Sequence, residues 1–433
     1  MKRTIKIFSV LLLCCLAFSS CNSDDDDNSE PDPMTQPDPD PDPDADADEL
    51  ASGWLTGWNL TTPQGRVWYL RVDEAVPTTF DVTSSVELGF NQRPYSFGDN
   101  AYVWDSDART FTKWEVDRTD LSLTPVGIMS LASTGFQSFA AWPTFISETQ
   151  AFVTNLTEGL IIEWNPSDMT ITEVFQVEPL LPFYENSRFF GDATSYVGNG
   201  KIIISIAQFA PDTCCEIDTS EMGATAGVFD IATKTFEYVK DTRLISGNIR
   251  YARDEGSGFL YVYPNDDQSW IAEYFDYDTS AAPSPHTILR LNGDGTFDPN
   301  FELDLDELLN IETFGEVVFA FDNKIVLFYW DSEDGELPES YEDRQDIFND
   351  VSSRTVVVDL ETREVSEFTA LDKYDFISFF INIEGFNYYI AFSSVESAFD
   401  TSFIVRQDAV DTFTELGTYS GAAAAWVDKL WGD

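Results

Sequence analysis

The sequence predicts an all-β chain whose globular part is a single β-propeller of about seven four-stranded blades, and three observations carry that prediction. The 433 residues include 35 Phe, 17 Tyr and 11 Trp, yet long helical periodicity is hard to find. Short β-branched and aromatic runs separated by turn residues take its place. Residues 51–433 are longer than a typical domain, but no Pro/Ser-rich linker interrupts them. Within them a strand-turn-strand unit recurs six times, always with an Asp or Asn at the turn.

The chain begins outside that domain. Lys2, Arg3 and Lys6 precede the apolar run Ile7 to Phe18. The run is shorter than the roughly 20 residues a membrane-spanning helix needs, so residues 1–20 read as a secretory signal. Ser19 and Ser20 stand immediately before Cys21. This pattern resembles the lipobox of bacterial lipoproteins, with Phe18 where Leu is usual. The resemblance implies that Cys21 is acylated and becomes the first residue. Residues 21–50 alternate Pro and Asp without a basic or aromatic residue. Such a segment has no core to bury and reads as a disordered, extended acidic tether. Its cluster Asp24 to Asp27 resembles the signal that sends some Gram-negative lipoproteins to the outer face of the outer membrane. The expectation is a cell-surface protein with a lipid anchor in the outer membrane; a plain spacer on a periplasm-facing anchor is the alternative.

Setting aside three basic residues in the signal and 13 acids in the tether leaves 64 acids and 21 bases, a net charge near −43 over residues 51–433. That field repels nucleic acid and anionic lipid, so nucleic acid is excluded as a partner. Loss of the signal leaves three cysteines, Cys21, Cys214 and Cys215, too few for a disulfide framework. The fold must rest on a large apolar core. Adjacent Cys214 and Cys215 form either a strained vicinal disulfide that clamps a loop or a soft-metal site. The clamp is favoured, because no histidine or third thiol stands nearby to complete a tetrahedral set.

The repeated units read YVWDSDARTFTKW, LIIEWNPSDMTITEV, GVFDIATKTFEYV, ILRLNGDGTFDPNF, TVVVDLETREVSEF and FIVRQDAVDTFTEL. Asp105, Asn165, Asp230, Asn292, Asp359 and Asp408 open the turns, and Thr110, Thr170, Thr235, Thr296 and Thr412 follow in five of them, with Glu364 in the other. Asx side chains bond their own backbone and tolerate the left-handed region, which suits them to start such hairpins. Further apolar strands such as KIIISIAQ, GFLYVYP, NKIVLFYW and NYYIAFSS precede the units, making four strands the natural blade. Irregular loops set the spacing between units, and VWYLRVDEAVPTTFDVTSSV supplies a seventh repeat. The terminal stretches GWLTGWNL and GAAAAWVDKLW are read as strands of one shared blade that closes the ring. A pair of β-sandwiches is the competing architecture.

Catalytic chemistry finds little support. His286 is the one histidine, placed in a Pro-Ser loop, so any Ser-His-Asp relay or histidine metal centre would rest on it alone. It is read as a surface loop residue. No G-x-S-x-G nucleophile motif occurs. Acid pairs of the glycosidase kind carry no weight among 64 acids. Asn292, Asp294, Thr296 and Asp298 alternate like the start of a calcium loop, but no Glu closes it at the EF-hand spacing, so a simple hairpin is preferred. The protein is expected to bind without catalysis, and no motif requires a cofactor.

The segment TILRLNGDGTFDPNFELDLDEL resembles part of the lipoprotein propellers associated with ferric-siderophore import in Gram-negative bacteria, the myxochelin-import type. Signal, acidic tether and repeat layout are similar along nearly the whole chain. The resemblance implies a surface binding protein that hands a ferric siderophore or other small chelate to a TonB-dependent outer-membrane transporter. A surface adhesin or scaffold, and a glycan-binding partner of a polysaccharide transporter, are the alternatives.

A second repeat points to the site. Where three blades begin, the chain reads NQRPY, NSRFF and NIRYA. Arg93 with Tyr95, Arg188 with Phe189, and Arg250 with Tyr251 are therefore the expected ligand-binding residues, since equivalent positions of a ring converge on its central mouth. Three guanidinium groups would make a local positive pocket suited to an anionic aromatic chelate such as a ferric catecholate. The competing reading makes each arginine a structural tie to an acid of a neighbouring blade.

Overall fold

The structure, a computed structural model, describes residues 50–62, 65–89, 91–138, 141–179, 188–209, 223–244, 249–254, 256–264, 286–309, 316–330, 353–371, 374, 376–392 and 401–432. Cys21, Cys214 and Cys215, and the readings attached to them, lie outside the described residues.

Blade 1 opens with β1 (Gly53–Thr62), β2 (Gly65–Asp73) and β3 (Val86–Leu88). Blade 2 holds β4 (Gln92–Phe97), β5 (Asn100–Asp105), β6 (Thr110–Val116) and β7 (Leu123–Ser130). Blade 3 holds β8 (Pro143–Ser147), β9 (Gln150–Asn155), β10 (Leu160–Asn165) and β11 (Thr170–Gln176). Blade 4 holds β12 (Arg188–Gly198), β13 (Lys201–Phe209), β14 (Ala224–Asp230) and β15 (Thr235–Asp241). Blade 5 holds β16 (Ile249–Arg253), β17 (Leu260–Pro264), β18 (Thr287–Leu291) and β19 (Phe297–Asp304), followed by the short helix α1 (Leu305–Leu309). Blade 6 holds β20 (Glu316–Phe321), β21 (Lys324–Trp330), β22 (Ser353–Asp359) and β23 (Val365–Glu367). Blade 7 holds β24 (Phe376–Ile383), β25 (Phe386–Phe392), β26 (Thr401–Ala409) and β27 (Thr412–Ser420). The last strand, β28 (Ala423–Trp431), pairs with β1 and completes blade 1.

These seven four-stranded antiparallel sheets form a β-propeller. The ends share a blade as GWLTGWNL and GAAAAWVDKLW predict, with Gly53 opposite Trp431 and Thr56 opposite Val427. First strands of neighbouring blades touch: β28 meets β24 and β4, β8 meets β12, and β16 meets β20. They form the inner ring. Each four-stranded meander reverses direction three times, so every first strand runs the same way and all begin on one face of the ring.

Burial explains why the sequence shows apolar runs in place of alternation. Second strands such as β9, β17 and β25 are buried at almost every position, because neighbouring blades cover both of their faces. Outer strands such as β11 alternate with mostly exposed residues. Between blades 2 and 3, Trp104, Phe111, Trp164 and Phe136 are fully buried, and Phe111 stacks on Trp164 at 5.6 Å and 14°.

The Asx hairpins do more than turn the chain. Asp230 Oδ1 accepts from Ala232 N and Thr233 N at 3.1 and 2.8 Å, and Asp359 Oδ1 from Glu361 N and Thr362 N at 3.0 and 2.9 Å. Backbone donation from Thr233 and Thr362 holds these two carboxyls below the usual carboxylate range. One or two residues before the fourth strand the chain then takes a left-handed conformation: Met169 (φ 57°), Lys234 (φ 58°), Gly295 (φ 85°) and Arg363 (φ 62°). In each case that residue reaches back to the preceding blade. A Cβ at Gly127 of β7 would stand 2.9 Å from Met169 Cγ. Lys234 Nζ donates to Glu163 Oε2 of β10 at 2.8 Å and lies over the Phe152 ring at 5.1 Å. A Cβ at Gly295 would meet Val228 of β14 at 2.8 Å. Arg363 Nη2 donates to Glu302 O of β19 at 3.0 Å and its guanidinium covers Phe301 at 5.2 Å. The same part of the turn thus makes the contact between blades 2 and 3, 3 and 4, 4 and 5, and 5 and 6, by a side chain in three cases and by the close approach of Gly295 in the fourth.

One hairpin is out of phase. YVWDSDARTFTKW lies in β5 and β6, the second and third strands of blade 2, whereas the other five join third and fourth strands.

Candidate functional site at the inner rim

Arg93, Arg188 and Arg250 all stand at the start of first strands, β4, β12 and β16, opposite Trp104, Phe209 and Tyr263. They therefore lie on one face of the ring, in blades 2, 4 and 5. Arg250 is exposed, and Arg93 is half-buried with its guanidinium carbon 5.4 Å from the centre of the Trp142 ring. The side chains of Arg188 and Phe189 are outside the described set.

The two tyrosines have a different role from the one expected. Tyr95 is 4% exposed and donates from its hydroxyl to Ala141 O at 2.7 Å. Tyr251 is 7% exposed, with Tyr196 edge-on at 5.7 Å. Burial pushes both hydroxyls well above the usual phenol range, so they stay neutral. In an inner strand, side chains alternate between the neighbouring blades. The residue two after each arginine (Tyr95) or one after it (Tyr251) is covered by packing, and neither ring is open to a ligand.

Around Tyr95 the structure gathers side chains that the N-x-R pattern does not reveal. Trp142, one residue before β8, lies edge-on to Tyr95 at 5.9 Å and 78°. Trp426, on β28, also lies edge-on to Tyr95, at 5.6 Å and 78°. Both indoles are half-buried. Trp426 Nε1 donates to Ser96 Oγ at 3.1 Å, and Ser96 Oγ in turn donates to Asp428 Oδ2. Asp428 Oδ1 accepts from Lys429 N at 2.8 Å. Desolvation between β28 and β4 raises the Asp428 carboxyl to about 6. A sequence signal for the two indoles exists: Ala141-Trp142 and Ala425-Trp426 share the tripeptide Ala-Ala-Trp, once in blade 3 and once in the closing strand.

Other expected features resolve as follows. His286 is not a surface loop residue: it is 5% exposed, its Nδ1 pairs with Asp306 Oδ1, and its carbonyl accepts from Leu305 N at 3.2 Å. It stands immediately before β18, as its sequence context predicts, but the Pro-Ser stretch concealed that α1 and Asp306 cover it. Asn292 to Asp298 form a hairpin in which the acids already have partners. Asp294 Oδ1 accepts from Thr296 N and Oγ1 at 3.0 and 2.6 Å, and Asp298 accepts from Arg290 Nε at 3.1 Å. Both carboxyls are held low, by Thr296 and by Arg290 respectively. A hollow of about 160 Å³ lined by Lys201, Asp230, Thr235 and Glu237 lies in blade 4 away from the rim, and is small beside the roughly 300–1,000 Å³ of typical ligand sites.

No protein-family profile matches the chain, and no curated protein is significantly similar in sequence. Solved structures share its general outline. A protein from Lactobacillus plantarum matches at 10% identity over 88% of this chain and 99% of that one, with a TM-score of 0.44. A candidate 6-phosphogluconolactonase from Bacteroides fragilis matches at 10% identity over 90% and 99%, with a TM-score of 0.45. Hydrazine synthase of Kuenenia stuttgartiensis matches at 7% identity over 72% and 74%, with a TM-score of 0.41. At these scores the likenesses carry no argument about activity, and the seven-bladed reading stands on the strand pairing itself.

Proposed function

We propose that this protein is an outer-membrane surface lipoprotein that binds an iron-siderophore, or a similar metal chelate, and passes it to a TonB-dependent transporter without catalysing a reaction. The observation that carries the reading is the placement of Arg93, Arg188 and Arg250 at the starts of first strands on one face of a ring whose net charge is near −43. Cations are scarce in this chain, and three of them at equivalent ring positions favour an anionic ligand there. The lipobox-like Cys21 and the acidic run Asp24 to Asp27 support surface display. The buried pairing of the one histidine, His286, with Asp306 supports the reading of binding without catalysis.

Titration of the soluble domain with ferric chelates of different charge, followed by Trp fluorescence quenching, tests the reading. Arg93→Ala combined with Arg188→Ala should weaken an anionic chelate at least tenfold; unchanged affinity in a folded variant would favour the structural-tie reading. Protease added to intact cells should digest the domain, and Cys21→Ala should release it. The half-buried Trp142 and Trp426 keep a glycan-binding reading in play, which oligosaccharide titration of the same domain addresses.

A further inference from the structure

We infer that the outer edge of blade 2, strand β7, is a self-association surface, and that the partner it takes is β7 of a second copy of this chain, paired antiparallel about a two-fold axis at Ile128. The inference is independent of the binding function proposed above.

Seven edges differ in how they are protected. Each blade ends in an outermost strand that pairs on one side only among the described strands: β3, β7, β11, β15, β19, β23 and β27. Natural proteins guard such edges with charged side chains or keep them short. Here β3 and β23 have three residues each, and Glu87, Glu173, Glu237, Asp298, Glu367 and Glu415 put an acid on every outermost strand but one. The exception is β7, LTPVGIMS, which carries no charge. Its charge-free run extends over residues 121–147, in a chain with 77 acids. On β7 stand the two most exposed large apolar side chains of the described residues, Ile128 at 68% and Val126 at 48%. The strand itself is held firmly, with Met129 buried and Gly127 packed against Met169 of blade 3.

Charge identifies the occupant. Two copies with a net charge near −43 each repel wherever their acids come within a Debye length, about 8 Å at physiological salt. Pairing β7 with β7 is the edge-to-edge contact that sets no carboxylate opposite a carboxylate. Glu115 of the neighbouring strand lies opposite Thr124, with Lys113 beside it at 3.6 Å, away from Ile128. The chain's own residues 21–49 are the rival occupant, since Leu50 N donates to Arg118 O at 2.8 Å, close in sequence to the start of β7. Their 13 acids and alternating prolines suit an uncharged, apolar edge poorly. Local geometry narrows the register. Pro125 has no N–H to offer, and the pairing with β6 shifts between Lys113 and Trp114 opposite it, so the first half of the strand is blunted. Val126 to Ser130 remain. An axis at Ile128 sets the two Ile128 side chains face to face, with Val126 of each copy opposite Ser130 of the other. So short a contact falls below the roughly 1,200 Å² that stable interfaces bury in total, and the dimer is weak and reversible.

The test is sedimentation velocity on residues 22–433, which retain every strand of the ring, with reductant present so that Cys214 and Cys215 do not link copies. Wild type is expected to pass from monomer to dimer with a midpoint on the order of 100 µM. The dimer should tighten at least threefold as salt rises from about 20 to about 150 mM, because screening relieves repulsion between the acidic bodies, whereas a contact made by ion pairs would weaken. Ile128→Lys alters an exposed side chain and should weaken the dimer at least tenfold. Val365→Lys, the same change on the outermost strand of blade 6, should weaken it less than twofold. Ile128→Cys, oxidised where wild type dimerises, should give a disulfide between the two copies at position 128, located by peptide mass mapping, because directly opposed residues bring their Cβ atoms within about 5 Å. Wild type that stays monomeric at every concentration and salt overturns the inference. So does a dimer that Ile128→Lys leaves intact or that Val365→Lys weakens as much. A dimer seen for residues 50–433 but not for residues 22–433 assigns the edge to the chain's own tether and overturns the second copy as its occupant. A dimer broken by Ile128→Lys in which Ile128→Cys forms no such link overturns the two-fold register.

Discussion

Two groups of arginines divide the labour in this acidic ring. Around β19, Arg243, Arg290 and Arg363 come from three successive blades and converge on one strand. Arg243 Nη1 donates to Phe301 O at 2.9 Å and Nη2 to Asp241 at 2.7 Å. Arg290 lies between Phe259 and Phe301 at 4.3 and 4.6 Å and bonds Asp298. Arg363 covers Phe301 from blade 6. These guanidinium groups close a seam, with ring, carboxylate and carbonyl partners all inside the protein. At the inner rim, Arg93 faces an indole at the start of its strand, and Arg250 is exposed. An arginine beside an aromatic residue reads the same in sequence at both places. Its depth in the blade separates the seam from the rim.

The largest blow to the seam is Phe301→Ala. Phe301 is 5% exposed and serves both Arg290 and Arg363, so urea unfolding should show a loss of about 3–5 kcal/mol. A loss under about 1 kcal/mol would show that the seam contributes little.

Asp428 offers a test of the opposite sign at the rim. Its carboxyl is raised to about 6, so the protonated form is favoured in the fold, and the native state loses stability as pH rises from about 4 through about 6. Asp428→Asn should therefore stabilise the domain by roughly 3 kcal/mol at pH 8 and leave it nearly unchanged at pH 4. Equal effects at the two pH values would place the carboxyl in water.

Arg290→Gln removes the main cause of the low Asp298 carboxyl. That pair stabilises the fold above the ordinary carboxylate range and ceases to do so as pH falls below it. The variant should lose about 1.5–2 kcal/mol at pH 7, and thermal melts should show the deficit shrinking below pH 3. The smallest effect belongs to Arg250→Ala: an exposed rim residue should change stability by less than about 0.5 kcal/mol, and a larger loss would move Arg250 from the site to the seam.

The hairpins were legible in the sequence because an Asx turn is local chemistry: Asp230 or Asp359 bonds amides two and three residues on, whatever surrounds it. Ring closure was legible because GWLTGWNL and GAAAAWVDKLW are apolar strands without other neighbours in sequence. The latches were not. Lys234 and Arg363 look like ordinary solvated turn residues, and only the stacking of blades puts Glu163 and Phe301 within reach. The rim was half legible. N-x-R located the starts of inner strands, but burial of Tyr95 and Tyr251 depends on which neighbouring blade covers them. His286 was misplaced for the same reason, since Pro and Ser upstream imply exposure locally while α1 and Asp306 cover it from later in the chain.

Closure by β28 also sets an order of events. The inner edge of β1 has no partner until Ala423–Trp431 exists, about 360 residues after β1 ends. At roughly 5–20 residues per second, the nascent chain carries that bare edge for on the order of a minute. Trp426 arrives with the same strand, so the ring and the aromatic arc beside Tyr95 are completed in one step. A chain that stops before Ala423 is left with an unpaired β1 and without Trp426, and that open edge is a mark by which a cell's quality control can recognise it.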